Sequence, residues 1–192
     1  MRRISTLFPL LIVALLAIAT FWLEYVVSNE AREGLGKDRH DPDSIITNFT
    51  VERFDATGSL RSRMHANKLT HYPDDDTAEI EAPRISFIQE ARITTFSSHN
   101  AVADNRQRTL LMVGKVRGER PAGLSHEAQS LTTDEMTVWT DDEIARTKLP
   151  VYFQQGQSRL EAIGAEWNNI TGILQLNSHV RATLPGKSSA TY

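Results

Sequence analysis

An all-β domain of antiparallel strands, preceded by one transmembrane helix, is the fold class that this sequence of 192 residues predicts. Three observations lead there. Apolar and polar residues alternate with a period of two over most of the chain beyond Ile45. Clusters of Asp, Asn, Gly and Thr interrupt that alternation at short intervals, as hairpin turns do. Near the start, Ile4 to Leu23 form twenty residues without a charge. At about 1.5 Å per helical residue this matches the roughly 30 Å core of a bilayer.

The flanks of that stretch orient it. Arg2 and Arg3 precede it and Glu24 and Glu30 follow, so the N-terminus is expected in the cytoplasm and the remainder outside. Phe21, Trp22 and Tyr25 fit the outer aromatic belt, and Pro9 sits early, where a missing amide costs least. A cleaved signal peptide is the alternative, since Ala17-Ile18-Ala19 has the small-x-small form after an apolar run from Leu7 to Leu16. The apolar character continues through Phe21, Trp22, Leu23, Val26 and Val27, which favours an uncleaved anchor over 1–27. A charged stretch with Gly34, Gly36 and Pro42 follows, reading as a linker over 28–44. The β-domain is expected over 45–184, and Pro185-Gly186-Lys187-Ser188-Ser189 open a disordered tail over 185–192.

Within the β-domain the alternation is explicit. Phe49 and Val51 alternate with Thr50 and Glu52. Leu60, Ser62, Met64 and Ala66 alternate with Arg61, Arg63 and His65, and Ala78 and Ile80 with Glu79 and Glu81. Turns are expected at Asp55-Ala56-Thr57-Gly58, with Gly58 as its structural glycine, and at Tyr72 to Asp76, Ala103 to Asn105, Thr140 to Asp142 and Asn168 to Gly172. The strands also repeat: Leu110 to Arg117 lines up in phase with Leu174 to Arg181, and Ala82-Pro83-Arg84-Ile85 resembles Leu149-Pro150-Val151-Tyr152. Ala66 to Thr70 likewise matches Ala128 to Thr132. Repeated hairpins of this kind stack into an elongated structure with two ends.

Composition excludes several activities. A net charge of -3 falls to near -5 once Arg2 and Arg3 are set aside on the cytoplasmic side, which argues against nucleic-acid binding. The chain has no Cys, so thiol catalysis and Cys-based zinc sites are absent. It has neither a GxxxxGK[ST] phosphate loop nor a GxSxG elbow. His65 and His71 with Asp74, Asp75 and Asp76 lack a recognised ligand spacing and read as strand and turn, so no metal and no cofactor is expected. No acid-base or nucleophile constellation assembles, and the chain is not read as an enzyme.

The charged start with its single span, then Asn48-Phe49-Thr50-Val51-Glu52-Arg53-Phe54-Asp55-Ala56-Thr57-Gly58, His71-Tyr72-Pro73, Val113-Gly114-Lys115-Val116 and Thr147-Lys148-Leu149-Pro150-Val151, resembles the LptC family over nearly the whole chain. Order and spacing carry the resemblance. It departs from the family pattern at Ser97-Ser98-His99-Asn100, where apolar alternation is expected. The resemblance implies a twisted antiparallel β-jellyroll, OstA-like, facing the periplasm from an inner-membrane anchor. It implies lipopolysaccharide as cargo, received from the inner-membrane ABC transporter complex (LptB, LptF and LptG) and passed to the periplasmic bridge protein LptA.

The positions expected to face inward, and so to line an acyl-chain groove, are Phe49, Val51, Met64, Ile80, Ile85, Phe87, Val116, Trp139, Val151, Phe153, Leu174 and Leu176. Phe49, Ile80, Val116, Phe153 and Leu176 are equally candidates for plain core, and Trp139 and Trp167 read as core or rim anchors. A methylene kept from water is worth about 0.8 kcal/mol, so a dozen exposed in transit would cost roughly 10 kcal/mol, which an apolar conduit removes. The expected joining edges are the first strand, Ile45 to Phe54 with Phe49 and Val51, and the last, Ile173 to Thr183 with Leu176 and Val180; the resemblance implies that the first faces the transporter and the last the bridge protein. A membrane-anchored adaptor that joins proteins around a closed core, without binding lipid, is the other reading.

Overall fold

The computed structural model describes residues 12–25, 40–89, 92–123 and 127–184, and the chain separates into two units, Met1–His40 and Asp41–Tyr192. In the first, residues 12–25 form a helix, α1, rich in Leu, Ile and Ala, in which the Thr20 hydroxyl donates to the Leu16 carbonyl at 2.9 Å. Among the described residues no helix is long and apolar enough to cross a membrane. Residues 4–11 of the expected span lie outside the described residues, as do most of the expected linker and the tail over 185–192.

The second unit is all β. Its strands are β1 (Ser44–Phe54), β2 (Leu60–Tyr72), β3 (Thr77–Glu81), β4 (Arg84–Gln89), β5 (Arg92–Ser97), β6 (Asn100–Asp104), β7 (Thr109–Arg120), β8 (Gln129–Trp139), β9 (Ile144–Gln155), β10 (Ser158–Asn168) and β11 (Leu174–Thr183). They form one 11-stranded antiparallel sheet. The expected turn chemistry sits at the reversals. Asp55 Oδ1 accepts the Thr57 and Ser59 amides at 2.8 and 3.0 Å, and Gly58 takes a φ of 84° that most side chains resist.

The sheet folds because every long strand breaks near its middle. One half of β2 pairs with β4 and the other with β3; one half of β7 pairs with β5 and the other with β6. The breaks fall in register. They run from Asn48 in β1 through Asn67, Ala82-Pro83, Ser98-His99, Gly114-Lys115, Asp134, Lys148-Leu149 and Gly164 to His179 in β11. Asn48, Ala82, Gly114, Lys115, Gly164 and His179 on this line all have positive φ. The remaining positive-φ residues sit in the hairpin turns. Bulges of this kind bend a strand and raise its twist, so an aligned row of them creases the whole sheet. The result is a jellyroll in which each long strand contributes to both layers.

The core lies between the layers. Ile80, Ile85, Phe87, Phe96, Met112, Val116, Leu131, Met136, Val138 and Trp167 are all buried. At its centre Phe96 meets Phe87 and Trp167 edge-on, at ring-centroid distances of 6.3 and 5.6 Å, and Phe153 meets Trp167 at 6.2 Å. Such aromatic contacts add about 0.5–1.5 kcal/mol each beyond the area they bury. The crease also resets the inward phase. In β2 the inward positions pass from the partly buried Met64 and the buried Ala66 to the partly buried Leu69, and in β8 the buried positions pass from Leu131 and Thr133 to Met136 and Val138.

Gly118 marks how closely the layers approach. A Cβ there would lie 2.8 Å from a Phe96 ring carbon and 3.2 Å from the Trp167 ring, neither of which has room to move. Gly118→Ala is expected to destabilise the β-unit by about 1–3 kcal/mol through overpacking. The check is a lowered urea midpoint with an unchanged denaturant slope.

Candidate functional site

Position in the sheet decides what each candidate residue can do. Ile80, Ile85, Phe87, Val116, Val151 and Phe153 are buried in the central core, and Phe49, Met64, Leu174 and Leu176 are partly buried and packed against it. Two candidates stand elsewhere. Trp139 lies on the outer face, beside the buried Val138, with the Arg146 guanidinium 5.1 Å above its ring. Projecting the Leu131-Thr133 phase forward puts Trp139 inside; the extra residue at the crease turns it outward. Val51 shares the inward phase of Phe49 and pairs with Met64, yet is 51% exposed, because no further strand covers that end.

The two ends of the sheet differ from its middle. Among the described strands β1 pairs only with β2 and β11 only with β10, so each offers one unpaired backbone edge. Beside those edges the core reaches the surface, through Phe49, Met64 and Leu69 at one end and Leu160, Leu174 and Leu176 at the other. β1 also exposes Ile45, Ile46, Val51 and Phe54 and carries neither Pro nor Lys, two common guards of an edge strand. β11 is more polar, with exposed His179 and Arg181 beside Val180.

Opposite the crease the layers are held by side chains. Glu143, with a side chain only 3% exposed, accepts from Arg61 at 2.9 and 3.2 Å and from Gln89 at 2.8 Å. Its main-chain carbonyl accepts the Asn169 amide and side chain at 3.0 and 2.9 Å. Arg53 bonds Asp141 at 2.8 Å, and Arg92 donates to the Ile170 carbonyl at 2.9 Å. Arg120, 4% exposed, donates to Thr94 and to the Gly172 carbonyl at 3.0 and 3.1 Å and stacks 5.0 Å over Trp167. Burial, and then the like charge of Arg92, lower the Arg120 pKa.

Local pairs fix the start of β1. His71 Nδ1 lies 2.7 Å from Asp43 and its Nε2 lies 3.6 Å from Asp76. The hydrogen bond to Asp43 is the chief cause that raises the His71 pKa, and the same contact holds the Asp43 carboxyl below its usual range. His65 instead bonds Thr50 across the strands at 3.2 Å. The Glu143 clasp escaped sequence reasoning, since its partner Arg61 is 82 residues distant. The one local sign was a charged residue at the end of a turn.

A creased sheet, filled at its centre, clasped opposite the crease and unpaired at both ends, has the geometry of a link that other sheets can extend. The chain belongs to the LptC family: a sequence model of that family, described as Lipopolysaccharide-assembly, LptC-related, matches residues 10–185. It is therefore a lipopolysaccharide-assembly protein of the transport type. Among solved structures it is similar to LptH of Pseudomonas aeruginosa, described as the LptA homologous periplasmic component of the conserved lipopolysaccharide transport device. The identity is 8%, the match covers 78% of this chain and 99% of that one, and the TM-score is 0.47. No curated protein matches the chain.

Removing the clasp carboxylate is expected to loosen the layers. Glu143→Ala leaves Arg61 and Gln89 without their acceptor and should cost about 3 kcal/mol, the lower end of the range for a broken buried pair, because Arg61 keeps some water. Thermal and urea unfolding of the variant measure this directly.

Proposed function

We propose that the protein is a single-pass inner-membrane component of lipopolysaccharide export, with its N-terminus in the cytoplasm, Ile4 to Leu23 as anchor and its β-unit in the periplasm. It receives lipopolysaccharide from the ABC transporter complex of LptB, LptF and LptG and hands it to LptA. The observation that carries this reading, in a chain of the LptC family, is the pairing of a free backbone edge with emerging apolar core at each end of the sheet. A free edge is extended by β-augmentation, and core that surfaces beside it becomes continuous with the core of the added sheet. In this reading β1 joins the transporter and β11 joins LptA. Energy for extraction comes from the transporter's ATPase, since moving acyl chains from one apolar medium to another supplies none.

The filled interior favours a second reading. Phe87, Phe96, Met112 and Trp167 are fully buried between the layers, and Phe96 packs edge-on against Phe87 and Trp167. A pure adaptor needs no space for acyl chains there, whereas a conduit must admit lipid at the ends or part the layers.

Photocrosslinking in cells separates the two. With the probe at Phe49 or Leu176 and the exposed Glu52 as control, the transport reading expects lipopolysaccharide adducts at the two inward positions only. Protein adducts without lipid would establish the adaptor. Burial predicts the behaviour of variants. Phe49→Asp, at a half-open end, is expected to keep the fold and lose most lipid adducts at Leu176, downstream on the path. Ile80→Asp places a charge at a site 1% exposed and is expected to unfold the unit.

A further inference from the structure

The ladder between β8 and β9 is interrupted at the crease. It runs from Gln129↔Gln155 to Thr132↔Tyr152 and resumes only at Thr137↔Arg146. The cause is local chemistry. Pro150 has no amide to donate, the Leu149 amide donates to the Thr147 hydroxyl at 3.1 Å, and the Thr133 hydroxyl donates to the Pro150 carbonyl at 3.0 Å. The backbones part, and a groove of about 680 Å³ opens on one side of residues 148–150, with a second of about 440 Å³ on the other.

These grooves are amphipathic. Buried core stands behind their walls, Val116 in the first and Met136 and Ala165 in the second, and the exposed apolar surface of the first comes from Pro150 and Tyr152. The rim of the first carries Lys115 and Arg117 against a single carboxylate, Asp134, with Tyr152, 61% exposed, beside them. Arg117 shares its charge with Glu119 at 3.5 Å, while neither Lys115 nor Lys148 forms a salt bridge among the described residues. The portion of the chain beyond Arg3 has a net charge near -5, that is -3 less two positive charges, so this cationic rim stands out from its surroundings.

We propose that the β8–β9 break is a lateral binding site for a phosphorylated glycolipid, with phosphate on Lys115 and Arg117 and the adjoining carbons on the exposed faces of Pro150 and Tyr152. The site rests on the lipopolysaccharide reading above and deepens it, because it gives the cargo's charged sugar end a fixed place on the outer crease. Anionic phosphate complements the rim, Pro150 offers exposed apolar surface beside it, and the exposed Tyr152 ring offers a face on which a sugar can stack.

The test uses the full chain in detergent with a photoreactive residue at Tyr152, or at Leu176 for comparison. The probes are purified lipopolysaccharide, its dephosphorylated form, and phosphatidylglycerol vesicles. The expected result is a lipopolysaccharide adduct at Tyr152 that falls by about tenfold in a Lys115→Glu, Arg117→Glu double variant, while the Leu176 adduct changes less than twofold. Dephosphorylated lipid should show a similar fall at Tyr152. Both substituted side chains are exposed, so the fold is retained. Adducts at Leu176 with none at Tyr152 would overturn the lateral site and leave the transport reading standing. A Tyr152 adduct indifferent to the charge reversals, or formed equally with phosphatidylglycerol, would also overturn it. Absence of lipid adducts at both positions would remove the transport reading itself and the site with it.

Discussion

The aligned break across the strands is the constraint on which everything else depends. A continuous antiparallel sheet of this length cannot bury an apolar face against itself unless every strand bends at the same level. The chain meets that requirement with different residues at each crossing: Gly in β7 and β10, Asn in β1, a Pro-bearing link between β3 and β4, and a positive-φ His in β11. Asn and Gly hold such conformations at small cost, and Lys115, Ala82 and His179 are held in them by the strand pairing that precedes and follows each along the chain. The crease sets which half-strands face each other, hence the aromatic centre, the clasp at Glu143 and the break at Pro150.

Closure by this route leaves two ends rather than none. A barrel abolishes its edges by pairing the last strand with the first; here β1 and β11 stay apart in the sheet order. For an isolated protein an exposed apolar edge such as β1 is an aggregation hazard. In the function proposed above the same edge is a place of attachment, and the core that emerges beside it need not be sealed. The centre, by contrast, is filled by fully buried side chains, each buried Phe or Ile contributing roughly 1.5–3 kcal/mol. In that proposal stability and attachment are placed in different strands.

Much of this was legible from residues close in sequence. Turn chemistry is local, so Asp55 to Gly58 and Asn168 to Gly172 could be read directly. Period-two alternation is local as well, and it identified Ile80, Ile85, Phe87 and Phe153 as inward. The crease is where such reading stops. A single extra residue reverses the phase, so Trp139 falls on the outer face, and the polar run Ser97 to Asn100 is the link at which β5 gives way to β6 rather than one continuous strand. The repeat of Leu110 to Arg117 in Leu174 to Arg181 held the clue, since it aligns Lys115 with His179, two crease residues of positive φ. The Glu143 clasp was out of reach because its partners come together only after the sheet has folded over.

Hydrogen exchange on the full chain, resolved by strand, tests the central claim that the sheet is closed at its middle and open at its ends. The account predicts that amides of β4, β5, β7 and β8 exchange only through global unfolding, while β1 and β11 exchange through local opening, faster by orders of magnitude. Equal protection from β1 to β11 would contradict it, because the ends would then be as tightly held as the core and would have no edge to offer a partner.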